Sequence, residues 1–246
     1  MPKKEDNRMY RDLSWTWPII SPPEDYADEA SQFIKAIEKH SKIPVKTLLN
    51  LGCGGGHNDF HLKKRFQVTG IDISKGMLNN ARKLNPNVTY LTGDMRSARL
   101  RKKFDSVIIA DAIMYMLSEK DMLAAFKTAY FHLKPGGIFC TYVEELPEKF
   151  ARTTTTRELK RKDDMEITLI EHMWDPDTKD MTFELTFIYI ITENQKAIVE
   201  VDRHTCGIFP LATWKKLIKE AGFTVRTSRS KDEGAEIFFI CLKSEI

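Results

Sequence analysis

The sequence has little cysteine, little histidine and no excess of charge of either sign. Its four cysteines, Cys53, Cys140, Cys206 and Cys241, are widely spaced, form no CxxC, and three of them sit inside apolar segments. That excludes a disulfide scaffold and leaves reduced, intracellular thiols as the reading. The six histidines never join the cysteines at metal-ligand spacing, so no metal site is expected. No run approaches the roughly 18 apolar residues that a membrane span needs, and the opening Met1–Asp6 begins no apolar leader core. A cytoplasmic protein without a membrane partner is expected. Thirty-eight basic against 35 acidic residues leave a net charge of +3, which makes no case for nucleic acid, since that would want a clustered basic face. The basic runs Lys63-Lys64-Arg65, Arg99 to Lys103 and Lys160-Arg161-Lys162 read as solvated helix ends and loops.

What is present is ordinary for a folded chain: 42% hydrophobic and 30% charged residues over 246 positions. A globule of this length buries about 70–75% of its unfolded surface and needs neither disulfide nor metal to hold a core. One elaborated domain is expected. Helical spacing of Tyr26, Ala30, Phe33, Ile34 and Ile37 predicts a helix to about His40. Beyond Pro44, short apolar strands alternate with helices. Val45–Leu51 runs into Gly52-Cys53-Gly54-Gly55-Gly56, and strands follow at Gln67–Asp72, Asn87–Thr92, Phe104–Ala110 and Ile138–Val143. Ser74 and Ser118 start two of the intervening helices. This alternation specifies βαβ units with right-handed crossovers, an α/β fold with a doubly wound, mostly parallel, Rossmann-like seven-stranded sheet between helices. Residues 144–209 change texture. Glu166–Trp174, Met181–Ile191 and Ala197–His204 are rich in Thr, Ile, Phe and Tyr and predict an inserted antiparallel meander. The core resumes at Pro210 with a helix to Ala221-Gly222, and then two strands joined by a charged loop predict a C-terminal antiparallel hairpin. The organisation is therefore an N-terminal aromatic lid and helix (1–44), a core (45–143 and 210–246) and an insert (144–209). The insert suits either a pocket wall or a homodimer interface.

A strand ending in a glycine loop that opens a helix offers bare backbone and free N–H groups to a polar, partly anionic ligand. Asp72, 18 residues after Gly54 at the end of the second strand, is placed to accept two hydrogen bonds from a ribose diol. His57 stands where a dinucleotide fingerprint needs its third glycine, and no Gly-Lys-Ser/Thr occurs. The loop therefore suits an adenosine with a small amino-acid tail better than a dinucleotide.

Over nearly the whole chain these residues resemble the class I S-adenosylmethionine-dependent methyltransferases. The resemblance rests on Leu48 to Gly56, Gly70 to Leu78, Gly93-Asp94-Met95, Phe104 to Asp111 and Leu133-Lys134-Pro135-Gly136-Gly137, in that order. Within the family the likeness is to small-molecule, amino-sugar N,N-dimethyltransferase-like members. It implies S-adenosylmethionine as cofactor, with S-adenosylhomocysteine as product. Gly52, Cys53 and Gly54 would then meet the methionine part and Asp72 the ribose, with Leu51 among the cofactor-binding residues. Ile73, Met77, Asp94 and Met95 would surround the adenine, and Ala110 and Asp111 would close the site beneath the sulfonium. The family usually has an acid where Asn50 stands and often a threonine where Gly55 stands. The expected function is methyl transfer to a small-molecule amine, with an RNA or protein methyltransferase and a catalytically silent cofactor-binding protein as alternatives.

Displacement at a sulfonium carbon asks for orientation first, and for a general base only when the acceptor arrives protonated. Tyr115, just past the fourth strand, and His204, ending the insert, are the catalytic candidates. Tyr10, Trp17 and Arg203 are the substrate candidates, with Trp15 grouped with the aromatic lid. His57, at a helix start that disfavours a cation, is expected to be a neutral neighbour of the cofactor tail. Glu144 or Glu145 could reach the pocket mouth.

Overall fold

The computed structural model describes residues 6–229 and 237–244. The opening Met1–Glu5 and most of the charged loop predicted between the last two strands (230–236) lie outside the described residues. The chain begins with short 3-10 turns and a four-residue helix α1 (Trp17–Ile20), then α2 (Ala27–His40). The alternating core follows: β1 (Thr47–Leu51), α3 (His57–Leu62), β2 (Gln67–Asp72), α4 (Lys75–Leu84), β3 (Thr89–Thr92), β4 (Phe104–Ile108), α5 (Glu119–His132) and β5 (Leu133–Val143). The insert is β6 (Thr153–Lys162), β7 (Met165–Trp174), β8 (Thr182–Glu193) and β9 (Lys196–Gly207). Helix α6 (Leu211–Glu220) and strands β10 (Thr224–Arg229) and β11 (Ile237–Leu242) complete it.

Seven strands form one sheet in the order β10-β11-β5-β4-β1-β2-β3. β1 to β5 run parallel, and β11 pairs antiparallel with both β5 and β10. Consecutive residues of a strand point to opposite faces, so each central strand feeds two cores. Leu49, Val107, Phe139 and Phe239 pack against Phe126 of α5 and Trp214 of α6. Their neighbours Leu48, Ile108, Cys140 and Ile240 pack against Phe33, Ile37 and Leu62 of α2 and α3. The indole of Trp214 stacks on Phe239 with ring centres 5.3 Å apart. Ser74 caps α4 by accepting from Met77 N at 3.1 Å, and Ser118 caps α5 by accepting from Asp121 N at 3.1 Å, as N-cap serines do.

Two expectations need correction. The insert has four strands, not three: β6 contains Lys160-Arg161-Lys162, which therefore ends a strand rather than a helix or a loop. Nearly every β6 residue is exposed on both faces, so it lacks the apolar alternation by which a strand is recognised. Strand β5 also starts earlier than predicted, because Pro135-Gly136-Gly137 is carried within it past a register irregularity against β4.

The insert places the N-terminal segment. On β8, Phe183, Leu185, Phe187, Tyr189 and Ile191 alternate inward and pack on Met9, Leu13 and Ile20. Asn7 N donates to Arg203 O at 3.0 Å, which fastens the segment to the edge strand β9.

Candidate functional site

Strand order reverses between β1 and β4, and in an open parallel sheet ligands bind at that point, beyond the strands' C-terminal ends. A cavity of about 1170 Å³ opens there, larger than one drug-sized ligand needs. Gly52 to Gly55 line it from β1, Asp72 to Met77 from β2 and α4, Gly93 to Arg96 from β3, and Ala110 to Ala112 from β4. The N-terminal segment adds Tyr10, Arg11 and Trp17, and the insert adds Trp174, Glu184, Thr186 and Arg203.

The glycine loop presents backbone. At Gly54, where φ is +52°, an added Cβ would meet nothing within 4 Å, so the main chain lies bare to the cavity. Asp72 Oδ2 accepts from Gly54 N and Oδ1 from Ser74 N, both at 2.8 Å. The carboxylate therefore fixes the loop, and burial pushes its pKa up. Ile73 is 68% exposed beside it, an apolar surface on the cavity wall. Asp94 is held by Arg96, whose guanidinium reaches Oδ2 at 2.6 Å and whose backbone N reaches Oδ1 at 2.8 Å. That hydrogen-bonded pairing lowers the Asp94 pKa. Asp111 accepts from the Tyr142 hydroxyl, and burial raises its pKa.

His57 Nδ1 accepts from Trp17 Nε1 at 2.8 Å, which fixes the proton on Nε2. Burial lowers its pKa to about 4, so the ring is a neutral donor. Trp17 stacks on it with ring centres 5.8 Å apart.

A second group of side chains forms a hydrogen-bonded string ending at the cavity. Asp202 is fully buried and accepts from Arg8 N and Met9 N, each at 2.6 Å. His204 Nε2 lies 2.7 Å from Asp202 Oδ2. A carboxylate accepts only, so Nε2 carries the proton and Nδ1 is the acceptor. Tyr115 OH donates to that Nδ1 at 2.6 Å, and Tyr10 OH donates to Tyr115 OH at 2.9 Å. Burial pushes both phenols well above the usual tyrosine range, so both remain O–H donors at neutral pH.

Gly52, Cys53, Gly54, Asp72, Ile73, Met77, Asp94, Met95, Ala110 and Asp111 thus line one cavity together with Tyr10, Trp17, Tyr115 and Arg203. Leu51 does not; it is buried in the core beneath the loop. His204 also stays off the cavity wall and sits behind Tyr115. Trp15 turns outward, 43% exposed, and neither Glu144 nor Glu145 lines the cavity. Two participants were not foreseen. Asp202 anchors the string, and its placement two residues before His204 on one strand face was legible. Asp59, on α3, hydrogen-bonds Asn50 across nine residues, which no local pattern signals.

The family profile described as "Methyltransferase domain" matches residues 48–137. The dTDP-3-amino-3,4,6-trideoxy-alpha-D-glucopyranose N,N-dimethyltransferase of Streptomyces venezuelae is 33% identical over 151 residues, which are 60% of this chain and 63% of that protein. The chain therefore aligns with slightly under two thirds of that relative's length. The crystal structure of Streptomyces venezuelae DesVI superposes with a TM-score of 0.83 at 24% identity, covering 98% of this chain and all of that one. The S-adenosylmethionine-bound structure of CalS10, an amino pentose methyltransferase from Micromonospora echinaspora, gives a TM-score of 0.77 at 22% identity over 88% of this chain and 91% of that one.

The cavity suits the cofactor these proteins imply. It has bare backbone at Gly54, a buried carboxylate at Asp72, an exposed apolar wall at Ile73 and neutral aromatic walls at Tyr10, Trp17 and Tyr115, and ring faces attract a sulfonium charge. The fold is that of these S-adenosylmethionine-dependent methyltransferases, and residues 48–137 match the methyltransferase domain profile.

Proposed function

We propose that the protein transfers a methyl group from S-adenosylmethionine to the nitrogen of a small-molecule amine, of the amino-sugar class acted on by the Streptomyces venezuelae relative. The observation that carries this reading is the string Tyr10–Tyr115–His204–Asp202, which brings a proton acceptor to the cavity wall. The cofactor, when bound, supplies an electrophilic methyl carbon on a sulfonium.

The chain's own residues do the rest. Asp72, with Gly54 held at its carboxylate, positions the ribose end, and Ile73 and Met95 cover the adenine. Tyr10 and Tyr115 face the acceptor side, where their oxygens can accept from the amine. An amine attacks only with its lone pair free, so an ammonium must first lose a proton. That proton passes to the Tyr115 oxygen as the Tyr115 hydroxyl proton moves to His204 Nδ1. The resulting imidazolium is held by Asp202, as a triad carboxylate holds its histidine. Orientation of two bound reactants supplies about 7–11 kcal/mol of barrier reduction, and the base adds about 10²–10⁴-fold. Arg203, Glu184 and Thr186 form the outer wall of the same cavity, and we assign them to the substrate's polar groups.

Incubation with S-adenosylmethionine and a panel of amine-bearing and amine-free sugars, read by mass spectrometry, tests this. Methylated product from the amines alone is the expected result. Product only from hydroxyl or carboxyl acceptors, or from RNA, would overturn it.

A further inference from the structure

Behind the wall of the cofactor cavity lies a carboxylate that the mechanism does not use. Asp59 is fully buried, and Asn50 Nδ2 donates to its Oδ1 at 2.8 Å. Its Oδ2 makes no hydrogen bond of good geometry, although, against the rise that burial imposes, the Tyr90 hydroxyl is close enough to lower the carboxyl's pKa by hydrogen bonding. Among the described residues no basic side chain forms an ion pair with it. Lys63 acts on it through space but donates to Asn85 Oδ1 at 2.7 Å. The phenol of Tyr90 and the thiol of Cys53 feel the same negative charge, and burial is the main reason their own pKa values rise. A buried carboxylate supported by neutral donors alone is costly unless a positive charge arrives to offset it.

The side chain that would meet such a charge is Asn50. It lines the cavity and is 2% exposed. An ionised carboxylate accepts only, so the amide nitrogen must face Asp59 and the amide oxygen must face elsewhere. That oxygen is buried and unpartnered. The amide is therefore oriented by Asp59, with an unused acceptor on a side chain of the cavity wall.

We propose that Asp59, acting through Asn50, holds the ammonium group of the cofactor's methionine tail. Asn50 Oδ1 accepts from the ammonium, and Asp59 fixes the orientation of the amide and supplies the negative charge that the strand end itself lacks. Asp59 is then a positioning residue. The proposal rests on the cavity being the S-adenosylmethionine site.

The test is isothermal titration of the full chain with S-adenosylhomocysteine and with 5′-methylthioadenosine, which keeps the adenosine and the sulfur but lacks the amino-acid tail. In Asp59→Asn, affinity for S-adenosylhomocysteine falls tenfold or more while 5′-methylthioadenosine stays within twofold of wild type. The exchange variant Asn50→Asp with Asp59→Asn returns the acid to the strand end and restores the wild-type ratio of the two affinities. In wild type that ratio falls as pH is lowered through about 6, where burial places the Asp59 carboxyl, and in Asp59→Asn it is flat. Equal loss of both ligands in Asp59→Asn, or loss of neither, overturns the proposal. If Asp59→Asn does not fold, the exchange variant decides alone: a ratio lower than wild type overturns it. Failure of wild type to bind either compound overturns it too, and is recognised as failure of the cofactor site because the tail-free compound is lost as well.

Discussion

Tyr115→Phe tests the proton-accepting role proposed for the string, because it removes one oxygen and keeps the ring. The lost hydroxyl carries the hydrogen bonds between Tyr10 and His204, donating to Nδ1 at 2.6 Å and accepting from Tyr10 at 2.9 Å. Two part-buried hydrogen bonds disappear, and a buried imidazole nitrogen is left unsatisfied, which costs about 1–3 kcal/mol of stability. The edge-on contact with Tyr10, ring centres 5.4 Å apart, survives, so the cavity keeps its shape and S-adenosylhomocysteine should bind as in wild type. The catalytic effect is larger and has a distinct pH signature. At neutral pH an amine acceptor arrives mostly as ammonium, and losing the base lowers kcat by about 10²–10⁴-fold. As pH rises toward the acceptor's own pKa, more of it arrives with a free lone pair, and the deficit shrinks by up to about tenfold per unit. Steady-state rates of wild type and Tyr115→Phe from pH 6.5 to 9.5, with kcat and KM separated, make the measurement. A deficit of constant size across that range would mean that Tyr115 only shapes the pocket. A variant within threefold of wild type at pH 7 would remove the string from the mechanism altogether.

The remaining predictions concern the supports of the site. Asp72→Ala removes a carboxylate that holds Gly54 N and Ser74 N at 2.8 Å and that lines the cavity where the ribose is proposed to lie. At about 1.5–3 kcal/mol per hydrogen bond to a charged group, S-adenosylhomocysteine should bind at least tenfold more weakly by calorimetry, and unchanged affinity would refute its placement. Gly55→Thr places a Cβ 2.5 Å from Trp17 Cδ1, so the indole must leave and its bond to His57 must break; a shift in tryptophan emission and earlier proteolysis of the N-terminal segment are expected. Asp105→Asn should destabilise the fold by about 2–4 kcal/mol in urea at pH 7. Burial alone would raise the Asp105 pKa, yet Lys134 Nζ at 2.7 Å and the backbone of Lys46 and Thr47 at 2.9 and 2.8 Å hold it down, to about 2. A depressed carboxyl stabilises above its unfolded pKa of about 4, so the gap between wild type and variant should close as pH falls from about 4 through 2.

How much of this was legible in the sequence divides by range. The core was readable because its signals are local: Val107-Ile108-Ile109-Ala110 is continuous because β4 is buried on both faces, and Ser74 and Ser118 mark their helices by a single cap each. The glycine loop and Asp72 were readable for the same reason, since a strand end and a helix start fix both within a few residues. Strand β6 was not, because a strand with neither face buried carries no alternation to see. The string lies between these cases. Asp202 and His204 are two apart on β9 and must share a face, but their meeting with Tyr115 and Tyr10 spans 89 and then 105 residues. That meeting depends on the N-terminal segment folding back over the insert, where Met9, Leu13 and Ile20 fill the inner face of β8. Asp202 binds the backbone of Arg8 and Met9 with the same carboxylate that orients His204. One carboxylate thus serves both the segment and the histidine: with the segment displaced, Tyr115 would lose its donor and Asp202 two of its three, while His204 would keep its tautomer through Asp202. The segment therefore supplies the string's outer hydroxyl, Tyr10, while the proposed relay of Tyr115, His204 and Asp202 is built from β9 and the turn after β4.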